Sequence, residues 1–256
     1  MTETKAKASI VLNARDFDAA IFDMDGVVTQ TATVHAAAWK RLFDEYLEER
    51  TERGEGGFEP FDIEADYRRY VDGRPRYDGV EAFLTSRGIS LPCGSSEDPP
   101  DRETVCGLGN RKDAYFLTQA ETEGVHAYEG TVHLIWQLRD NGIKTGVFSA
   151  SRHAEDVLEA AGVTGLFDER IDGVRAEDLG LPGKPLPNVL LELTRCLGSS
   201  PASTVVFEDA IAGVQAGHAG GFALVIGVNR GGSPGALTQQ GADVEVADLN
   251  EVEVVE

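Results

Sequence analysis

Four short apolar runs, each stopped abruptly by polar residues, constrain this chain more than any other feature. Residues 19–22 end at Asp23-Met24-Asp25-Gly26, residues 143–148 at Ser149, residues 204–207 at Glu208-Asp209, and residues 223–228 at Asn229. Helical patterns lie between the later runs, over residues 154–161, 187–197 and 211–219. Strands alternating with helices of that length predict a parallel sheet with crossover helices. Sheets of this kind bind ligands at the carboxyl ends of their strands. Asp23, Ser149, Glu208 and Asp209 all fall at such ends, which points to a single site.

The spacing between the runs is uneven. A crossover connection needs one helix, yet residues 24–148 separate Asp23 from Ser149. Within that stretch Val34, Ala38, Leu42 and Tyr46 recur at helical spacing over residues 33–49. Further helical patterns follow at 63–71, 79–86 and 111–123, separated by Pro- and Gly-containing segments at 54–60 and 92–100. The expected architecture is a Rossmann-like α/β core of residues 1–30 and 127–256, with an inserted α-helical cap at 31–126, long enough to form its own bundle. The acidic, Val-containing tail at 242–256 is expected to add an edge strand or to fray.

Composition narrows the function classes. The net charge is −21, which excludes a basic nucleic-acid-binding surface. No apolar run reaches the length of a membrane span, so no membrane partner is expected. The opening segment MTETKAKASIVLNARDF is charged and lacks an apolar core, so it does not read as a secretory signal. Three cysteines, Cys93, Cys106 and Cys196, form no CxxC pair; a reducing cytoplasm is expected rather than a disulfide or zinc framework. The acidic body repels anionic substrates, although salt screens this beyond roughly 8 Å. A phosphate site in this chain therefore needs its own local cations.

The chemistry comes from the residue types. Asp23 and Asp25 stand two positions apart after a buried strand, so one carboxylate can attack phosphorus while the other moves a proton. Gly26 permits the tight turn that a bulky residue there would obstruct. Glu208 and Asp209 add two carboxylates at a neighbouring strand end, and such a cluster calls for a hard cation such as Mg²⁺. Ser149, the backbone after it at Ala150, and Lys184 are candidates to meet the equatorial oxygens of a phosphoryl group in transit. Each piece alone has a structural reading: a solvated turn, a helix cap, a loop lysine, an acidic helix start. All four in this order, each at a strand end or adjoining loop, do not.

The segments FDMDGVVT, FSAS, GKPLPN and VVFEDA resemble the four-motif signature of the haloacid dehalogenase superfamily, and the helical insertion resembles that superfamily's cap. The resemblance implies that Asp23 is the nucleophile and Asp25 the general acid/base. It implies Mg²⁺ held by Asp23, the Asp25 backbone carbonyl, Glu208 and Asp209, with Ser149 and Lys184 on the phosphate. Asn188 stands where relatives usually carry Asp.

The stretch FDMDGVVTQTATVHAAAWKRL further resembles the start of β-phosphoglucomutases, with Thr31, His35 and Trp39 in place; Gln30 departs from the usual Asp. The cap segments DGRPRYDG and GNRKDAYF resemble those that hold a substrate's second phosphate, which implies Arg76 and Lys112 as its ligands. Asp113 stands where these mutases commonly have Asn. A mutase passing through a bisphosphate needs one phosphate site for transfer and one that holds, and Arg offers a fork of donors where Lys offers a point charge. Arg74, Arg76, Arg111 and Lys112 together would form the local cation supply. His35, one turn from Trp39, is expected to couple sugar binding to cap closure near Asp25. Ser151 and His153 follow the Ser149 loop toward substrate, while His126, His133 and His218 have no ligand spacing. Trp136 and the phenylalanines are expected in the core.

The expected function is interconversion of β-D-glucose 1-phosphate and glucose 6-phosphate through glucose 1,6-bisphosphate. A sugar-phosphate phosphatase would use the same core with water completing the second half-reaction. A catalytically silent phosphate-binding relative would be expected to lack part of the set Asp23, Asp25, Ser149, Lys184, Glu208 and Asp209, all of which are present. Oligomeric state is not legible in the sequence.

Overall fold

The computed structural model describes residues 10–256. The first nine residues of the charged opening segment lie outside the described residues. The chain divides into two compact units, one running to Thr29 and resuming over Ala127–Glu256, the other formed by Gln30–His126.

In chain order the elements are β1 (Ile10–Asn13) and β2 (Ala19–Asp23), then α1 (Ala32–Glu52), a π-helical turn at Tyr67–Val71, α2 (Arg76–Ser86) and α3 (Val105–Glu123). The chain continues through α4 (Glu129–Asp140), β3 (Lys144–Phe148), α5 (Ala154–Ala160), β4 (Glu169–Ile171), α6 (Gly173–Asp178) and α7 (Asn188–Cys196). It ends with β5 (Thr204–Glu208), α8 (Ile211–Ala219), β6 (Leu224–Val228), β7 (Val244–Val246) and β8 (Val252–Val255).

Six strands form a parallel sheet in the order β4-β3-β2-β5-β6-β7. The central strands β2 and β5 are buried along their whole length, as expected of parallel strands covered on both faces. Their apolar runs pack with α7 and α8 into one core that includes Ile21, Phe148, Leu193, Val206 and Val214. The acidic tail forms two strands rather than fraying: β7 edges the large sheet, and β8 pairs in parallel with β1. Hence the α/β class read from the alternation of runs and helices is the one observed.

In the other unit Trp39, Leu42, Phe43 and Tyr46 of α1 meet Phe61, Val80, Phe83 and Leu108 in a separate core. The helix expected at 63–71 shrinks to a π-helical turn. The Asp62 side chain accepts the amides of Glu64 and Ala65, and the amides of Asp66 and Tyr67 both reach the Asp62 carbonyl, so local bonding competes with a regular helix there. Helix α3 starts six residues earlier than its apolar pattern, because Thr104 caps it by accepting from the Gly107 amide at 2.9 Å.

Two core expectations are corrected. Trp136 is 52% exposed and Phe58 46%. On α4 the buried positions are Gly130, Thr131, Leu134, Ile135 and Leu138, a helical stripe that leaves Trp136 on the outer side. Among the described residues no helix is long and apolar enough to cross a membrane, and all three cysteines are free.

Candidate active site

The parallel register sets the ends of three strands level. Asp23 pairs with Phe148, and Phe22 with Phe207, so Asp23, Ser149 and Glu208-Asp209 emerge along one edge of the sheet. A ligand-atom cluster results: carboxylate oxygens of Asp23, Glu208 and Asp209 lie within 4.8 Å of one another. Asp23 and Glu208 are buried and Asp209 is half-buried.

Lys184 is the cation that reaches this cluster. Its buried ammonium lies 2.5 Å from Asp23 Oδ1, touches Glu208 Oε1, and sits 4.8 Å from the centre of the Phe148 ring. Burial acts to discharge Lys184, but Asp23 and Glu208 outweigh it and hold the ammonium protonated. Desolvation is the largest influence on Asp23 and pushes its carboxyl well above the usual range; Lys184 opposes this, and Glu208 and Asp25 add to it. One lysine against three carboxylates leaves the cluster net negative. All remaining donors are oxygens, a set suited to a hard divalent cation. Glu208 is held for such a role, since its Oε2 accepts from the Ala210 amide at 3.0 Å.

Asp25 lies beyond the strand, half-buried, and its Oδ2 accepts from the Ser149 hydroxyl at 3.1 Å. Ser149 in turn takes the Ser151 amide at 3.0 Å, and Ser151 Oγ takes the His153 amide at 3.1 Å. The serine loop is thereby wound back on itself, and Gly173 packs so tightly against it that a Cβ there would sit 2.6 Å from the Ala150 carbonyl oxygen. Asn188 is exposed at the start of α7, outside the acidic cluster.

Two glycines shape the site. At Gly26 φ is +85°, and a Cβ would lie 1.8 Å from Asp209 Oδ2. At Gly213, on α8, a Cβ would lie 1.7 Å from Glu208 Oε1. The strand-end pattern does not flag Gly213, although a glycine two residues into a helix that follows an acidic strand end is the signal that marks it. Gly26→Ala is expected to cost about 1–2 kcal/mol in backbone strain and to displace the Asp209 carboxylate. Thermal melting and divalent-metal titration of that variant check this; unchanged metal affinity would contradict it.

In the helical unit the expected cap residues gather in two groups. Lys112 is buried, with its ammonium 2.6 Å from His35 Nδ1 and 5.1 Å from the ring centres of both Trp39 and Phe116. With Lys112 charged, His35 accepts at Nδ1, and its ring stacks on Phe116 at 4.0 Å. Thr31 is buried beside them, its carbonyl accepting the His35 amide at 2.9 Å. Arg76 is paired with Asp113 at 2.6 Å and donates to Tyr77 Oη at 3.2 Å. Arg111 is engaged apart from this group, on Glu49 and the Pro100 carbonyl. In the sequence Asp113 reads only as a departure from the mutase pattern; the structure makes it the partner of Arg76.

The haloacid dehalogenase-like hydrolase pattern matches residues 17–221. A β-phosphoglucomutase of Mycobacterium tuberculosis is 44% identical over 237 residues, covering 91% of this chain and 90% of that protein. A trehalose-phosphate phosphatase of Mycobacterium leprae is 38% identical over 128 residues, 48% of this chain and 28% of that protein. The solved β-phosphoglucomutase of Clostridium difficile has the same fold, with a TM-score of 0.71, 23% identity and 93% of each chain covered. With that family's pattern across most of its length and a mutase relative spanning nearly all of it, this chain belongs to the haloacid dehalogenase-like hydrolases, within their β-phosphoglucomutase group.

Proposed function

We propose that this protein is a β-phosphoglucomutase that interconverts β-D-glucose 1-phosphate and glucose 6-phosphate through β-glucose 1,6-bisphosphate, carrying the phosphoryl group on Asp23. In the forward direction the sugar's 6-hydroxyl attacks phospho-Asp23, and the Asp25 carboxylate takes its proton. The bisphosphate then rebinds reversed. Asp23 attacks the phosphorus at C1, Asp25 returns the proton to the departing O1, and glucose 6-phosphate and phospho-Asp23 are regenerated. Lys184 and the Ser149 loop, including Ala150, meet the phosphoryl oxygens. Mg²⁺ fits the Asp23, Glu208 and Asp209 oxygens, with the Asp25 carbonyl as a further ligand; when bound it neutralises charge on the group in transit. A reducing cytoplasm suits the free cysteines.

The observation that carries a mutase rather than a phosphatase is the pair of buried or half-buried cations in the helical unit. A chain of net charge −21 keeps two sheltered cations in its helical unit, Lys112 buried beside His35 and Arg76 half-buried beside Asp113, a pairing that suits a second anionic group. Arg76 and Lys112 supply the holding site that a bisphosphate needs and that hydrolysis of a monophosphate does not.

The test is the ratio of glucose 6-phosphate formed to inorganic phosphate released, for wild type and Arg76→Ala, with trace bisphosphate present. A charge-assisted contact is worth about 1.5–3 kcal/mol, or about ten- to a hundredfold. Because Asp113 already occupies one edge of the guanidinium, the loss should fall near the lower end. The wild-type ratio should be well above one and should drop in the variant. A wild type that mainly releases phosphate, with its ratio unmoved by the substitution, makes the protein a sugar-phosphate phosphatase.

A further inference from the structure

The turn that carries Asp25 is held by an unusually complete set of bonds, and one comes from far along the chain. The Met24 carbonyl accepts the amides of Val28 and Thr29 at 2.9 and 2.8 Å, and the Thr29 carbonyl accepts the Gly26 amide at 2.8 Å. The Val27 carbonyl takes the Thr131 hydroxyl at 2.6 Å, and the Val28 carbonyl takes the Tyr128 amide at 2.9 Å. These partners lie in the turn itself or at the start of α4. The Gly26 carbonyl is different: it accepts Arg230 Nε at 2.9 Å, and Arg230 belongs to the loop after β6.

Arg230 is itself fixed on two further sides. Its Nη1 pairs with Asp248, and its Cζ lies 3.4 Å from the centre of the Tyr128 ring. Its remaining Nη2 is buried with no hydrogen-bond partner, an arrangement that costs stability and that packing alone does not require. Gly26 is also the residue whose Cβ position is filled by the Asp209 carboxylate. Whatever fixes Gly26 therefore fixes the gap between the Asp25 turn and a metal-ligand carboxylate.

We infer that Arg230 is a positioning residue of the phosphoryl-transfer site. Through the Gly26 carbonyl it sets both the Asp25 turn and the room left for Asp209. The inference rests on the proposed roles of Asp23, Asp25 and Asp209 but not on the identity of the sugar. Arg supports this task better than Lys, because Nε and Nη1 engage two acceptors in one plane while the flat guanidinium stacks on an aromatic ring. A displacement of the order of 1 Å at a reacting group costs about a hundredfold in rate.

The experiment compares wild type, Arg230→Ala and Arg230→Lys, each checked as folded by circular dichroism. Calorimetry measures Mg²⁺ binding to the free protein, and turnover is measured with acetyl phosphate as donor to Asp23 and with the sugar phosphate. Arg230→Ala should weaken Mg²⁺ binding about tenfold and lower kcat about ten- to a hundredfold, with the KM for sugar phosphate within about threefold. Arg230→Lys should recover part of the loss, and millimolar guanidinium should partly rescue Arg230→Ala but not wild type. Folded Arg230→Ala with wild-type Mg²⁺ affinity and kcat overturns the inference. So does a loss of activity that only tracks a loss of folded protein and does not respond to guanidinium. If wild type releases phosphate instead of isomerising, the mutase reading fails while these comparisons still decide the role of Arg230. A wild type that binds no Mg²⁺ and accepts no phosphoryl group overturns both.

Discussion

Asp23→Asn should lower turnover by roughly four or more orders of magnitude, the scale seen when a covalent nucleophile is removed, while the fold survives. The substitution keeps the side-chain volume at the end of a fully buried strand, so the core around Phe22 and Phe148 need not repack. It removes the attacking oxygen's charge and one ligand of the acidic cluster. Lys184 keeps its contact with Glu208, so the ammonium is not left buried and alone, which would otherwise cost about 3–5 kcal/mol. Removing a desolvated carboxylate also relieves part of the repulsion from Glu208 and Asp25. Stability should therefore change little or rise, whereas phosphoryl transfer should vanish. Two measurements check this: kcat, and the phosphoprotein formed with an acyl phosphate donor and followed by mass spectrometry. Normal turnover or undiminished phosphoprotein in Asp23→Asn would remove the central claim.

The residues involved in that prediction are legible in the sequence because strand ends are. An apolar run that stops at Asp or Glu tells both where the sheet is and where its ligand edge lies, and β2, β3 and β5 follow their runs to within a residue. Close approach between distant segments leaves no such mark. Gly213 is needed because α8 passes over Glu208, and Gly26 because Asp209 fills its Cβ position; hydrophobic patterning reports neither contact. Arg230 sits in the segment NRGG, which reads as an ordinary loop, and its partners Gly26, Tyr128 and Asp248 are scattered along the chain. Short elements are hidden for a related reason. The three residues of β4 carry Arg170 with a side chain turned to Glu155 and Asp172, so an edge strand paired on one side shows no apolar run. Trp136 misleads because a large aromatic residue is weighed by type, when its place off the stripe of Leu134, Ile135 and Leu138 decides its exposure.

Metal removal should have the other large effect: excess chelator should abolish turnover, and Mg²⁺ should restore it. Three carboxylates within 4.8 Å of one another, two of them buried, face one ammonium, so the site keeps a net negative charge where a phosphoryl group must approach. At an effective dielectric of about 20, two unit charges 4 Å apart interact by about 4 kcal/mol, enough to hold an anionic substrate away unless a cation offsets it. The same balance sets a pH dependence. Burial, with Glu208 and Asp25 adding and Lys184 opposing, raises the Asp23 carboxyl above its ordinary range, so in the metal-free protein it takes up a proton at a higher pH than an exposed aspartate would. Metal binding needs the carboxylate and must release that proton. Apparent Mg²⁺ affinity should therefore weaken as pH falls, by up to tenfold per unit once Asp23 is mainly protonated. Activity titrated against Mg²⁺ at several pH values, alongside calorimetry in two buffers of different ionisation enthalpy, measures both the slope and the proton released. Full activity in excess chelator, with no metal in the purified protein, would sink the metal assignment. A pH-independent affinity with no proton release would leave the metal in place but show that Asp23 is ionised before it binds.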